Sequence, residues 1–184
     1  MLTVTNLLDW LFASSLAAWI RGSLYAFPLI ESFHVIGLTM VFGTIAIMDL
    51  RLLGLASTQR PFTRVKSDTL KWTLAAFALT VTTGFLMFIT NAPVYFENPH
   101  FRLKMASIAL AGVNMVVFEL TTGRAVRHWD SDRSAPSAGK LAGALSLLLW
   151  IGVIFFGRWI GFSAGGDAAA PTTIVDPGIE DIFK

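Results

Sequence analysis

Residues Leu29–Leu55 read LIESFHVIGLTMVFGTIAIMDLRLLGL. The stretch is mostly apolar, yet Glu31 and His34 stand near its start and Asp49 and Arg51 near its end. A helix crossing roughly 30 Å of hydrocarbon needs about 20 residues. Backbone N–H and C=O groups in that layer find partners only within helices or closed barrels. The stretch therefore reads as a membrane-crossing helix over residues 28–50, with ionisable groups at two depths.

Three further windows pass the same test. Residues 70–90 carry a single charge, Lys71, at their boundary; 101–121 hold Arg102, Lys104 and Glu119 near their ends; 141–162 hold Arg158 near their finish. The expected fold is all-α, a four-transmembrane-helix bundle. Composition agrees: 54% of the 184 residues are hydrophobic and 14% charged, an apolar excess over ordinary soluble domains. A formal charge of +2 with no basic run argues against nucleic-acid binding. The absence of cysteine excludes disulfides, thiolate metal sites and cysteine nucleophiles. No nucleotide-binding glycine loop, Walker lysine, H-E-x-x-H or G-x-S-x-G occurs, so no catalytic residue is expected.

At the N-terminus, Asp9 and Arg21 enclose only eleven uncharged residues, short for a span. No Lys or Arg precedes the apolar part, unlike a secretory signal. An interfacial helix over 5–21, with Trp10, Phe12 and Trp19 at headgroup depth, is the expectation. A fifth span reaching into Leu24–Phe27 is the alternative. Residues 1–163 thus form a membrane domain, and the Pro/Gly-rich residues 164–184 an extended tail.

Charge sets orientation, because cytoplasmic loops collect Lys and Arg. The first loop holds Arg51, Arg60, Arg64, Lys66 and Lys71 against Asp68; the third holds Arg124, Arg127, Arg133 and Lys140 against Asp130 and Asp132. These loops are expected in the cytoplasm. Both termini and the second loop, NAPVYFENPHF, then face the periplasm of a bacterial inner membrane, with lipid and a membrane or periplasmic protein as partners.

Orientation converts position to depth. At 1.5 Å per residue, His34 lies roughly 9 Å past Pro28, with Glu31 one turn above on the same face. Lys104 and Arg158 reach a similar level from the third and fourth spans, as does Met87 from the second. Intramembrane charges tend to face the bundle interior in pairs. Expected are a periplasm-side polar pocket of Glu31, His34, Lys104, Asn114 and Arg158, and an inner layer of Asp49, Arg51, Glu119 and Arg124. Glu31 should pair with Arg158 or Lys104, and Asp49 or Glu119 with Arg51 or Arg124. Snorkelling of Lys104 and Arg158 is the plainer alternative. Thr73, Ala76, Thr80, Thr83 and Met87 form a small and polar stripe on the second span, and Lys104, Ser107, Ala111 and Asn114 on the third. Packing is the simplest use of both.

Three readings of His34 stand together. It can be a neutral, hydrogen-bonded histidine. It can bind a metal with Glu31, since Glu-x-x-His puts both side chains on one helix face, or haem iron with Met87 or Met105. Or it can relay protons with Glu31.

The segments ESFHVIGLTMVFGTIAIMDLRLLG, FRLKMASIALAGVN and WIGVIFFGRWI resemble an uncharacterised family of bacterial four-helix membrane proteins, itself distantly similar to copper-resistance D proteins and b-type cytochrome bundles. The resemblance covers three of the four spans. It implies Glu31, His34, Asp49, Arg51, Lys104, Asn114 and Arg158 as characteristic polar residues. It also implies a histidine near the end of the third span, where this chain has Glu119, a departure that weakens a haem reading. The leading expectation is a non-catalytic membrane subunit or anchor linked to haem b or copper. A proton-coupled permease subunit and a purely structural subunit are its rivals.

Overall fold

The computed structural model describes residues 3–132 and 135–164. The expected tail of 164–184 lies outside them from residue 165 onward. All regular structure among the described residues is helical: α1 (Val4–Ala13), α2 (Ser15–Gly22), α3 (Ala26–Leu53), α4 (Phe62–Ile89), α5 (Ala92–Glu97), α6 (Pro99–Leu120) and α7 (Ser137–Ala164), with one 3-10 turn at Val126–His128. Four of these helices, α3, α4, α6 and α7, are long and apolar enough to cross a membrane.

The helix ends follow local chemistry. Gly54 ends α3 in the left-handed region at φ 75°, where a side chain would be strained; its N–H bonds Arg51 and that of Leu55 bonds Leu50, closing the last turn. Asn98 caps α6 by accepting from the N–H groups of His100 and Phe101, and Pro99 follows at the position where a missing N–H costs nothing. The Asn98 amide also donates to the Ser163 hydroxyl at 2.9 Å, tying the start of α6 to the end of α7.

Two boundaries differ from the sequence reading. Helix α4 starts at Phe62, well before residue 70, so its polar turn of Arg64, Lys66 and Asp68 is helical although it adds nothing to hydropathy. The N-terminal segment is two helices rather than one: Ser14 is extended at the joint, and its hydroxyl donates to Leu11 and accepts from Ala17. Ten residues in α1 and eight in α2 are each fewer than a single helical span needs. Arg21 donates to the carbonyls of Phe12 and Thr90, fastening this pair to the end of α4.

Around the bundle the order is α4, α3, α7, α6, every neighbour antiparallel; α4 and α6 scarcely touch. Val41, Ala76, Ala111, Trp150 and Val153 form the central core. Leu52, Phe62, Phe118, Trp129 and Ala135 close the end at which α3 finishes. Ala17, Ile20, Ala26 and Ile89 close the other. The expected inward stripes hold, with Ala76, Thr83, Ser107 and Ala111 all buried. Phe33, Ile36, Met40 and Ile47 of α3 instead face outward, an apolar exterior suited to lipid.

Close approach replaces hydrophobic drive inside a bilayer. A Cβ on Gly37 would lie 2.5 Å from the Thr80 hydroxyl oxygen, one on Gly143 3.1 Å from the Asp49 carbonyl, and one on Gly84 3.0 Å from the His34 ring. Glycines thus set α3 directly against α4 and α7.

Candidate functional site

A cavity of about 650 Å³ opens at the end where α3 begins. Glu31, His34, Met87, Lys104 and Arg158 all line it, together with Tyr95 and the rings of Phe27, Phe42, Phe88 and Phe101. These five side chains, expected at one level, thus line one cavity. Glu31 and Arg158 are exposed at the mouth, while His34 and Lys104 sit deeper.

His34 is the best-defined member. Its Nδ1 lies 3.0 Å from the Thr80 carbonyl and 3.1 Å from the Thr83 hydroxyl oxygen. A carbonyl can only accept, so Nδ1 carries a hydrogen and donates it. The Thr83 hydroxyl spends its own hydrogen on the Leu79 carbonyl at 2.7 Å. Among the described residues Nε2 has no hydrogen-bond partner, and the His34 side chain lines the cavity. Gly84 gives the flat floor beneath the ring: a Cβ there would press on Cε1 and Nδ1. Lys104 is seated in the same manner, its Nζ 3.5 Å from where a Gly157 Cβ would be. Sequence reading passed over Thr80, Thr83, Gly84 and Gly157 as partners of these groups. The usable signal was a glycine one turn from a stripe threonine, level with a histidine.

Several expected contacts do not form. No ion pair joins Glu31 to Arg158 or Lys104; the ion pairs among the described residues are Arg60–Asp68, Arg64–Asp68 and Lys66–Glu119. Arg158 lies over the Phe162 ring instead, 5.3 Å from its centroid. Met105 is 48% exposed on the outer side of α6 and does not line the cavity. Asn114 is not in this pocket: its amide donates to the Ala142 carbonyl at 2.9 Å, nearer the opposite end. In the inner layer Glu119 is held by Lys66 of α4, not by Arg51 or Arg124. Arg51 is wholly buried and binds three carbonyls, and Arg124 is exposed. Depth fixes the level of a side chain, not the direction in which its helix turns it; Asn114, about 15 Å further along α6 than Lys104, belongs to another level altogether. His100 belongs to the first turn of α6 rather than to a loop, packed against Trp159 with Nδ1 buried and unpartnered.

Tyr95 is an addition from the short helix α5. Burial, and then the negative charge of Glu31, push its phenol above the ordinary value. Glu31→Gln should therefore let Tyr95 ionise at lower pH, a downward shift in the ultraviolet phenolate titration. Because the folded state holds the proton longer than the unfolded chain, stability should fall as pH rises past about 10. A titration unmoved by Glu31→Gln would refute the coupling.

A bundle of four apolar, membrane-length helices, with a largely apolar cavity at one end that a few charged side chains line, defines the class: an integral membrane protein. Within that class the chain belongs to a family of unknown function (DUF6644), whose model matches residues 7–163. No curated protein and no solved structure matches the chain. The expected likeness to copper-resistance D proteins and b-type cytochromes thus has no support from a matched protein.

Proposed function

We propose that the protein is a non-catalytic, redox-linked subunit of a bacterial inner membrane, and that its cavity accepts an iron porphyrin of the haem b type. The observation carrying this reading is His34: its Nδ1–H is held by the Thr80 carbonyl, its Nε2 has no partner among the described residues, and its side chain lines a cavity of about 650 Å³. Fixing one imidazole nitrogen to orient the other is the usual support of a ligating histidine. Lys104 and Arg158 supply two cations for propionates, against the single carboxylate of Glu31. The aromatic and glycine walls suit a flat macrocycle. Met87 lines the same cavity, and its thioether would be the second side chain able to hold the iron.

A bare copper ion fits less well. Among the described residues no group of three or more His, Cys, Asp or Glu side chains gathers. Glu31 and His34 alone would leave a metal under-coordinated beside two cations. When bound, haem iron would take up and release one electron. The chain's own part is to ligate through His34, hold the propionates with Lys104 and Arg158, and keep the ring apart from water. The basic first and third loops support an arrangement with the cavity mouth and both termini toward the periplasm.

The test is haemin titration into purified protein. Expected is a saturable Soret band at one haem per chain, absent in His34→Ala and weakened about tenfold in Lys104→Met, the size of one lost charge-assisted contact. A Soret response unchanged by His34→Ala, with helicity intact, would overturn the reading.

A further inference from the structure

A second cavity, of about 300 Å³, lies at the other end of the bundle and has a different character. It occupies the gap between α4 and α6, which are joined by Phe62–Phe118 at one end and Phe88–Phe101 at the other, with little contact between. Leu70, Leu74, Phe77 and Met115 form its outer walls, and Leu70, Leu74, Phe77 and Met115 are all among the outward-exposed apolar or cavity-lining side chains of those helices. The gap is thus a side window toward lipid.

At its base one buried acceptor stands without a donor, beside the Ser146 hydroxyl. Asp49 is only 6% exposed, lines the cavity, and has a buried Oδ2 with no hydrogen-bond partner. One of the two Asn114 amide hydrogens is used on the Ala142 carbonyl, and no donor among the described residues bonds its oxygen. A buried acceptor without a donor is costly. The charged side chains of the lining are Asp49, Glu119 and Lys66, and Lys66 is taken by Glu119. The rings of Phe62, Phe77, Phe118 and Trp150 complete the wall, and aromatic faces attract cations.

We propose that this window is a binding site for a lipophilic amine entering from the bilayer, its protonated nitrogen donating to Asp49 and Asn114 and its apolar chain lying along α4 and α6. An anionic head would meet two acidic side chains, Asp49 and Glu119, against the single, already paired ammonium of Lys66. At ~30 Å³ per water-sized group, the volume suits about ten heavy atoms. This site and the His34 cavity are lined by different residues, so the proposal stands independently of haem.

The experiment is equilibrium binding of n-decylammonium to the full chain in phosphatidylcholine nanodiscs, with empty nanodiscs subtracted. Expected is one saturable site per chain, at least tenfold weaker in Asp49→Asn. Gly112→Leu should abolish it while leaving the fold intact, because a Cβ at Gly112 meets open space beside the cavity. n-Decanol and decyltrimethylammonium should each bind at least tenfold more weakly, the first lacking charge and the second lacking N–H. Binding unaffected by both substitutions, or decanol equal to decylammonium, would overturn the proposal.

Discussion

Arg51→Leu should destabilise the bundle by roughly 3–5 kcal/mol, the range for breaking a buried charged network. Arg51 is 0% exposed, and its guanidinium donates to the carbonyls of Arg60 at 2.8 Å, Asp130 at 3.1 Å and Asp132 at 2.8 Å. One side chain at the end of α3 thus holds both connections at that end: the one into α4 and the one out of α6. Leucine fills much of the volume but leaves these carbonyls without their donor, each loss worth about 1–3 kcal/mol if water cannot replace it. Arg51→Lys keeps the charge but not the planar fork, so it should restore only part of the loss. Unfolding by SDS titrated into maltoside micelles measures both. A midpoint for Arg51→Leu within error of the parent would show that water takes over these carbonyls.

Gly37→Val should be nearly as damaging, about 3 kcal/mol from overpacking. A Cβ there would meet the Thr80 hydroxyl oxygen at 2.5 Å, the Ala76 carbonyl at 3.3 Å and the Thr80 nitrogen at 3.4 Å. The hydroxyl is not free to swing away without loss, since it donates to the Ala76 carbonyl at 2.8 Å. A branched residue must therefore push α3 off α4, and His34, one turn earlier, would leave its Thr80 carbonyl and Gly84 floor. Gly37→Ala offers the discriminating control. Adding Thr80→Ala removes the closest atom and should recover most of the alanine variant's loss in the same SDS titration. A double variant no better than Gly37→Ala alone would place the obstruction in the backbone instead.

Both effects concern residues whose importance hydropathy does not register. Arg51 counted in sequence as one basic loop charge and as a partner for a carboxylate. Its actual partners are backbone carbonyls that come near only after the loops fold over the bundle end. Gly37 had no signal at all, being one of 15 glycines. Lys66 was assigned to a loop because α4 begins before its apolar window does. Once helical, it reaches Glu119 across the α4–α6 gap. By contrast, Glu31, His34, Met87, Lys104 and Arg158 were legible as a group. Each lies a fixed number of 1.5 Å steps from a span end, and antiparallel helices share those levels.

The sequence by itself determined that four helices form and the level shared by Glu31, His34, Met87, Lys104 and Arg158, because about 20 apolar residues leave the backbone one way to satisfy its hydrogen bonds in hydrocarbon. It could not determine how each helix is rotated. In a bundle surrounded by lipid both faces are largely apolar, so beyond the small and polar stripes of α4 and α6 little contrast in polarity marks the inside. Tertiary structure decided that through contacts between particular atoms: glycines beneath Thr80, His34 and Lys104, Asn114 on the Ala142 carbonyl, and a gap left open between α4 and α6.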